Sequence, residues 1–185
     1  MDPDRDDAAR LRRGDTSGLA GLMGRHQDRL LRYLLRLLGD EAVAEDAFQQ
    51  TWVRVAERIG RYDATRPFAP WLLTVARNLA LDQLRRRCPG SLDEVDEPQA
   101  PADAQSNPLA HAVARQRTER LSEALARLGP LDRDVLCLRF EEDLALPDLA
   151  EALGVPVPTA KARLYRALAR LREALVAAAP AEEWR

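Results

Sequence analysis

The sequence predicts an all-α protein: two small helical bundles joined by a flexible acidic linker, the second bundle a helix-turn-helix. Three observations predict it. Apolar residues recur at helical spacing along most of the chain, and no stretch sustains the alternation of a strand. The pattern stops between Cys88 and Ala110. There Pro89, Gly90, Pro98, Pro101 and Pro108 interrupt the chain, and Asp93, Glu94, Asp96, Glu97 and Asp103 have no basic residue among them. Beyond the break, a short helix Pro147–Leu153, a turn Gly154–Val157 and a long basic helix from Pro158 have the layout of a helix-turn-helix.

Met1–Asp15 mixes Asp and Arg around Leu11 and is expected as a frayed lead-in or a short helix. From Leu19 to Leu38, Leu22, Leu30, Leu34 and Leu37 share a face, and Gly39-Asp40 closes the run. Asp40 can cap the next helix, Glu41–Ile59, which carries Phe48, Trp52, Val55 and Ile59 at helical spacing and ends at Gly60. Prolines make Arg61–Pro70 a loop. Trp71–Arg87 is the following helix, with Leu72, Val75 and Leu79 inside and Arg77, Asn78, Arg85, Arg86 and Arg87 outside. After the linker, Arg117–Leu128 is amphipathic and stops at Gly129-Pro130, and a feeder helix runs through Leu136 and Phe140. The expected divisions are a lead-in 1–15, a first bundle 16–88, a linker 89–112, a second bundle 113–179 and a tail 180–185.

Composition narrows the function. The chain has 185 residues, 46% hydrophobic and 31% charged, with a net charge of −2. That is enough apolar material for two cores, and the charge argues against a binder that holds nucleic acid by bulk positive charge. Any such affinity must come from local patches. Cys88 and Cys137 lie far apart and share no metal-ligand spacing with His26 or His111, so reduced thiols and no metal are expected. No apolar run approaches the roughly 18 residues of a membrane span, and the acidic N-terminus is unlike a signal peptide, so a cytoplasmic protein without membrane insertion is expected.

The last helix supplies the chemistry. Leu164, Leu168, Leu171 and Leu175 form one stripe, while Lys161, Arg163, Arg166, Arg170 and Arg172 occupy the rest, with no acid before Glu173. A solvated surface helix has a similar pattern. The preceding short helix and glycine turn favour one that docks in the DNA major groove, with early residues at base edges and flanking arginines on phosphates.

Both halves together resemble an extracytoplasmic-function sigma factor of bacterial RNA polymerase. Three places in the first half carry the resemblance. Leu38-Gly39-Asp40 is followed by Ala44-Glu45-Asp46-Ala47-Phe48-Gln49-Gln50-Thr51-Trp52; Tyr62-Asp63 leads into Arg66-Pro67-Phe68-Ala69-Pro70-Trp71-Leu72; and Ala76-Arg77-Asn78-Leu79-Ala80-Leu81-Asp82-Gln83-Leu84-Arg85 is similar to the family's promoter-reading helix. In the second half it runs from Ala124-Leu125 through Leu138-Arg139-Phe140 to Ala160–Ala167.

The resemblance implies partners and sites. Partners would be core RNA polymerase (the coiled-coil of its largest subunit and the flap of its second-largest), promoter DNA, and an anti-sigma factor; no cofactor is implied. Tyr62, Arg66, Phe68, Arg77, Asn78, Arg85 and Arg86 would act at the −10 element, where a base leaving the melting duplex must be stacked and hydrogen-bonded. Phe68 and Trp71 better suit core positions that hold the loop, and Tyr62 suits either role. Arg139, Lys161, Ala162, Tyr165 and Arg166 would contact the −35 element, with Arg163 on phosphate. Asp46, Gln49, Gln50 and Arg54 would meet the polymerase; Gln50 stands where the family usually has Glu. The linker would run through the polymerase RNA channel or serve only as a tether. Ala145 and Pro156 replace the family's usual helix-capping residues. The competing reading is a helix-turn-helix regulator that binds duplex DNA by itself. An enzyme is not expected, because no phosphate loop, nucleophile motif or carboxylate–histidine cluster is present.

Overall fold

The structure, a computed structural model, describes residues 2–87 and 120–178, which are helical throughout with short connections and no strand. The acidic linker, Cys88 and the tail lie outside the described residues.

The lead-in is a helix, α1 (Pro3–Arg12), started by the Asp2 carboxylate accepting from the Asp4 N–H at 3.1 Å and by Pro3 in the first turn. It lies directly on α2 (Ser17–Leu38), because Gly18 and Gly21 leave room for it. A Cβ on Gly18 would fall 2.2 Å from the Asp7 carbonyl oxygen, and one on Gly21 would fall 2.1 Å from the Asp7 carboxylate. Leu22, Leu30, Leu34 and Leu37 of α2 are buried as their spacing predicts, together with Tyr33. Gly39 ends the helix at φ 68°, its N–H reaching the Leu35 carbonyl at 2.8 Å. Asp40 then caps α3 (Glu41–Arg58), accepting from the Val43 N–H at 3.1 Å. That bond, ahead of the nearby Arg87, holds its carboxyl below the usual range.

A single turn at Ile59–Arg61 leads into the loop and α4 (Phe68–Arg87). The helix begins three residues earlier than expected. Pro70 falls in its first turn, where a missing N–H costs nothing because the first four are unpaired within any helix.

In the second half, α5 covers residues 120–126 and α6 is Pro130–Leu136. The feeder helix does not run straight through Phe140. Cys137–Glu141 widen into a π turn, with the Glu142 N–H reaching back to the Cys137 carbonyl at 3.0 Å, and Phe140 is left exposed. Next comes α7 (Leu146–Leu153), closed by Gly154 at φ 65°. The Val155 N–H bonds the Ala150 carbonyl and the Gly154 N–H that of Glu151, both at 3.0 Å. Finally α8 (Val157–Ala178) packs on α6 and α7. Its inner face is shifted from the leucine stripe: Ala160, Leu164 and Ala167 are buried, and Leu168 and Leu171 only partly. Alanine at the closest crossings lets the helices approach.

Ala145 sits at the start of α7 in extended conformation with no side-chain cap. Ala145→Ser is expected to stabilise the chain by about 1 kcal/mol, read as a higher urea midpoint at unchanged slope.

The two bundles are packed on each other, with α2 meeting α6 and α4 meeting α7. They share one cluster of buried apolar residues.

Candidate nucleic-acid interface

Asn78, Arg85 and Arg86 lie exposed along one outer strip of α4, while Leu73, Val75, Ala76, Ala80, Leu81 and Leu84 are buried. Arg85 pairs with Asp82 at 2.7 Å across one turn, an exposed pair worth little that can be exchanged for a phosphate. In the loop before α4, the Asp63 carboxylate accepts from the Thr65 N–H at 2.9 Å and the Thr65 hydroxyl at 2.8 Å. Those bonds from Thr65 hold the Asp63 carboxyl below its usual range.

Tyr62 and Phe68 do not stand open as walls for a base. Tyr62 is 2% exposed and Phe68 1%, and they pack edge to face at 5.3 Å. Trp71 lies 5.3 Å from Tyr62 and 5.6 Å from Phe68, and the Tyr62 hydroxyl donates to the Arg66 carbonyl at 2.6 Å. Two buried rings and a third, partly buried, under so short a loop give it a rigid floor. From α1, Arg12 donates to the Ile59 carbonyl at 3.0 Å and to that of Tyr62, and Arg5 donates to the Thr65 carbonyl at 3.0 Å. Sequence reasoning gave these two arginines no role. The pair of glycines three apart in α2 was the available sign that α1 docks.

Arg77, expected on the outside, is buried. Its Nε donates to Asp134 of α6 at 2.5 Å, and the Tyr33 hydroxyl of α2 donates to the other carboxylate oxygen at 2.7 Å. The reason is that α4 has two packed faces: one closes its own bundle and the other meets the second. Burial pushes the Asp134 carboxyl up despite the charge of Arg77 and the hydroxyl of Tyr33. Burial and the neighbouring Asp134 charge raise the Tyr33 phenol well above its usual range. Around this core Arg36 pairs with Glu141 at 2.7 Å, Arg29 binds the Glu142 carboxylate and its carbonyl, and Arg66 of the loop pairs with Glu151 of α7. Cys137 is a buried free thiol whose pKa is pushed up to about 12, chiefly by burial. It is therefore unreactive in the native state.

On α3, Gln49, Gln50 and Arg54 are exposed beside Val53, which is 58% exposed. A single exposed apolar side chain is common on a protein surface and by itself marks no site. Asp46 accepts from Gln50 at 2.7 Å and from Gln83 of α4 at 2.9 Å. A carboxylate at position 50 would face Asp46 with like charge; the amide donates to it instead.

In the helix-turn-helix, Lys161, Ala162, Tyr165 and Arg166 are exposed on one face of α8, opposite buried Ala160, Leu164 and Ala167. The Lys161 ammonium lies 5.9 Å from the Tyr165 ring centroid. Arg139 is half-buried, donating to the Leu144 carbonyl at 3.3 Å and lying 5.7 Å from the Phe140 ring centroid. Arg163 and Arg166 turn toward a cleft of about 210 Å³ that Arg77 and Arg170 also line. Among the described residues no group of His, Cys, Asp or Glu could hold a metal ion.

Comparison with known proteins agrees with this two-part arrangement. The profile of Sigma-70 region 2 matches residues 22–88, and that of Sigma-70 region 4 matches residues 118–171. The chain is 36% identical to ECF RNA polymerase sigma factor SigL of Mycobacterium tuberculosis over 161 residues, 83% of this chain and 86% of that one. It is 30% identical to RNA polymerase sigma factor CarQ of Myxococcus xanthus over 167 residues, 90% of this chain and 94% of that one. Among solved structures, CnrH in complex with the cytosolic domain of CnrY is similar over 95% of this chain and 99% of that one, at TM-score 0.69 and 26% identity. The sigma factor RpoE of Bartonella quintana, solved with the anti-sigma factor NepR, shares the fold at TM-score 0.67 and 24% identity, covering 83% of this chain and 94% of that one. The chain belongs to the extracytoplasmic-function (ECF) family of RNA polymerase sigma factors. It acts in transcription initiation, and the self-sufficient regulator is not favoured.

Proposed function

We propose that this sigma factor docks on core RNA polymerase through the outer face of α3 and reads a two-part promoter with α4 and α8. Asp46, Gln49, Gln50 and Arg54 would face the coiled-coil of the polymerase's largest subunit, with Val53 supplying apolar contact. The apolar groove of the second bundle would hold the flap of the second-largest subunit. At the −10 element Asn78 would hydrogen-bond a base edge, while Arg66, Arg85 and Arg86 meet phosphates, joined by Arg77 once Asp134 releases it. Tyr62 and Phe68 contribute by fixing the loop from beneath. At the −35 element Lys161 and Arg166 would donate to guanine acceptors, Ala162 and Tyr165 would pack on bases, Arg139 would reach in from the feeder, and Arg163 would hold phosphate.

The observation that carries this reading is the outer face of α4, where Asn78, Arg85, Arg86 and Arg87 stand exposed around a single acid, Asp82, while the opposite face is buried. Such a face neutralises phosphates while one amide reads a base. No chemical step is catalysed by this chain itself; its work is done in the cytoplasm on the polymerase. Control by an anti-sigma factor belongs to the same proposal: the similar proteins CnrH and RpoE were each solved with a bound partner, for RpoE the anti-sigma factor NepR.

Selection from a promoter library randomised over both elements, using reconstituted holoenzyme, tests it. Lys161→Ala is expected to relax one −35 position by about 1–3 kcal/mol, and Asn78→Ala one −10 position. Enrichment unaffected by either change would refute the assignment.

A further inference from the structure

We propose that α1 sets the specificity of the loop it covers, with Arg12 and Arg5 as positioning residues. The inference rests on the reading of the loop as a −10 element. Three backbone carbonyls, of Ile59, Tyr62 and Thr65, accept from these two arginines, and the Arg12 guanidinium also lies 6.0 Å from the Tyr62 ring centroid. The helix that carries them is itself fixed. Arg25 of α2 bonds Asp4 and Asp7 at 2.7 Å each, His26 lies 2.9 Å from Asp4, and Gly18 and Gly21 leave no slack beneath. A loop tied at three carbonyls presents one conformation to DNA, and moving those ties changes which base fits. The α1 residues precede residue 22, where the region 2 match begins.

The test is promoter-library selection with holoenzyme carrying Arg12→Ala, Arg12→Lys or Arg5→Ala. Base preference within the −10 element is expected to flatten at least fivefold for Arg12→Ala and less for Arg12→Lys, which keeps one donor. Preference at −35 and affinity for core polymerase should stay unchanged. A loss equal at both elements, or none, would overturn the role. Arg5→Ala alters an exposed donor and guards against simple unfolding. A wild-type chain that enriches nothing would instead overturn the −10 reading itself.

The packed arrangement of the two bundles also ties up two arginines of the first in ion pairs with the second. We infer that Asp134 and Glu151 act as internal substitutes for promoter phosphates. They occupy Arg77 and Arg66, two of the cations assigned to the −10 backbone, and Arg163 and Arg166 of α8 line a cleft with Arg77. Arg77, 6% exposed with its Nε held by Asp134, cannot reach a phosphate of the DNA backbone from its packed position, so its use at the promoter requires the bundles to part.

Full-length Asp134→Asn/Glu151→Gln should show a larger radius of gyration by small-angle X-ray scattering. It should also bind a fluorescent twenty-nucleotide oligo-dT at least tenfold tighter, a gain removed by adding Arg77→Ala. An already extended wild type, or opening without a gain in binding, would overturn the inference. Glu151→Gln alone changes only an exposed pair, so it folds, and it should give a smaller gain in the same direction. Core-polymerase binding by the wild type, measured in parallel, keeps this result separate from the sigma assignment.

Discussion

Phe68→Ala is expected to cost about 3–5 kcal/mol of stability and to abolish recognition of the −10 element while leaving the second bundle folded. Phe68 is fully buried, packs on Tyr62, Trp71 and His26, and forms the first residue of α4. Removing the ring opens a cavity under the loop and frees Tyr62, whose hydroxyl otherwise fixes the Arg66 carbonyl. Urea unfolding of the full chain measures the cost, and library selection measures the lost preference. A cost below about 1 kcal/mol would mean that the floor repacks, as only volume-conserving changes usually permit.

The second large effect belongs to Asp134→Ala. The aspartate is fully buried, and its two oxygens take Tyr33 and Arg77. With the carboxylate gone and the bundles still packed, a buried guanidinium has lost its partner, which costs about 3–5 kcal/mol. Separation of the bundles lets Arg77 reach water, so the observed loss cannot exceed the free energy of packing them. Adding Arg77→Ala is expected to recover much of the loss, because the stranded charge goes with it. A double-mutant cycle measures this directly. Additive losses would contradict the pair as a coupled unit.

The order of helices was legible because the signals are local. Asp40 caps three residues ahead, Gly39 and Gly154 adopt positive φ at helix ends, and leucine spacing marks the buried faces. The exposed placement of Asn78, Lys161 and Tyr165 follows from the same local logic together with the resemblance. The pairing of Arg77 with Asp134 does not, since they meet across 57 residues and no periodicity records such a pair. Asp134 does stand among Leu131, Val135 and Leu138, and an acid on an apolar face is a sign of a distant partner. The π turn after Leu136 was hidden because it alters hydrogen-bond register without altering composition. The sequence left Tyr62 open between floor and platform, because an aromatic beside prolines serves either; packing makes it a floor together with Phe68.

The most direct measurement is gel filtration of the purified chain with sigma-free bacterial core RNA polymerase, beside a Gln49→Ala/Arg54→Ala variant. Both substitutions fall on exposed positions of α3, so the variant folds. Co-elution of the wild type, weakened at least tenfold in the variant, is the predicted result. A wild-type chain that leaves the column apart from the polymerase while binding duplex DNA tightly by itself would contradict the account.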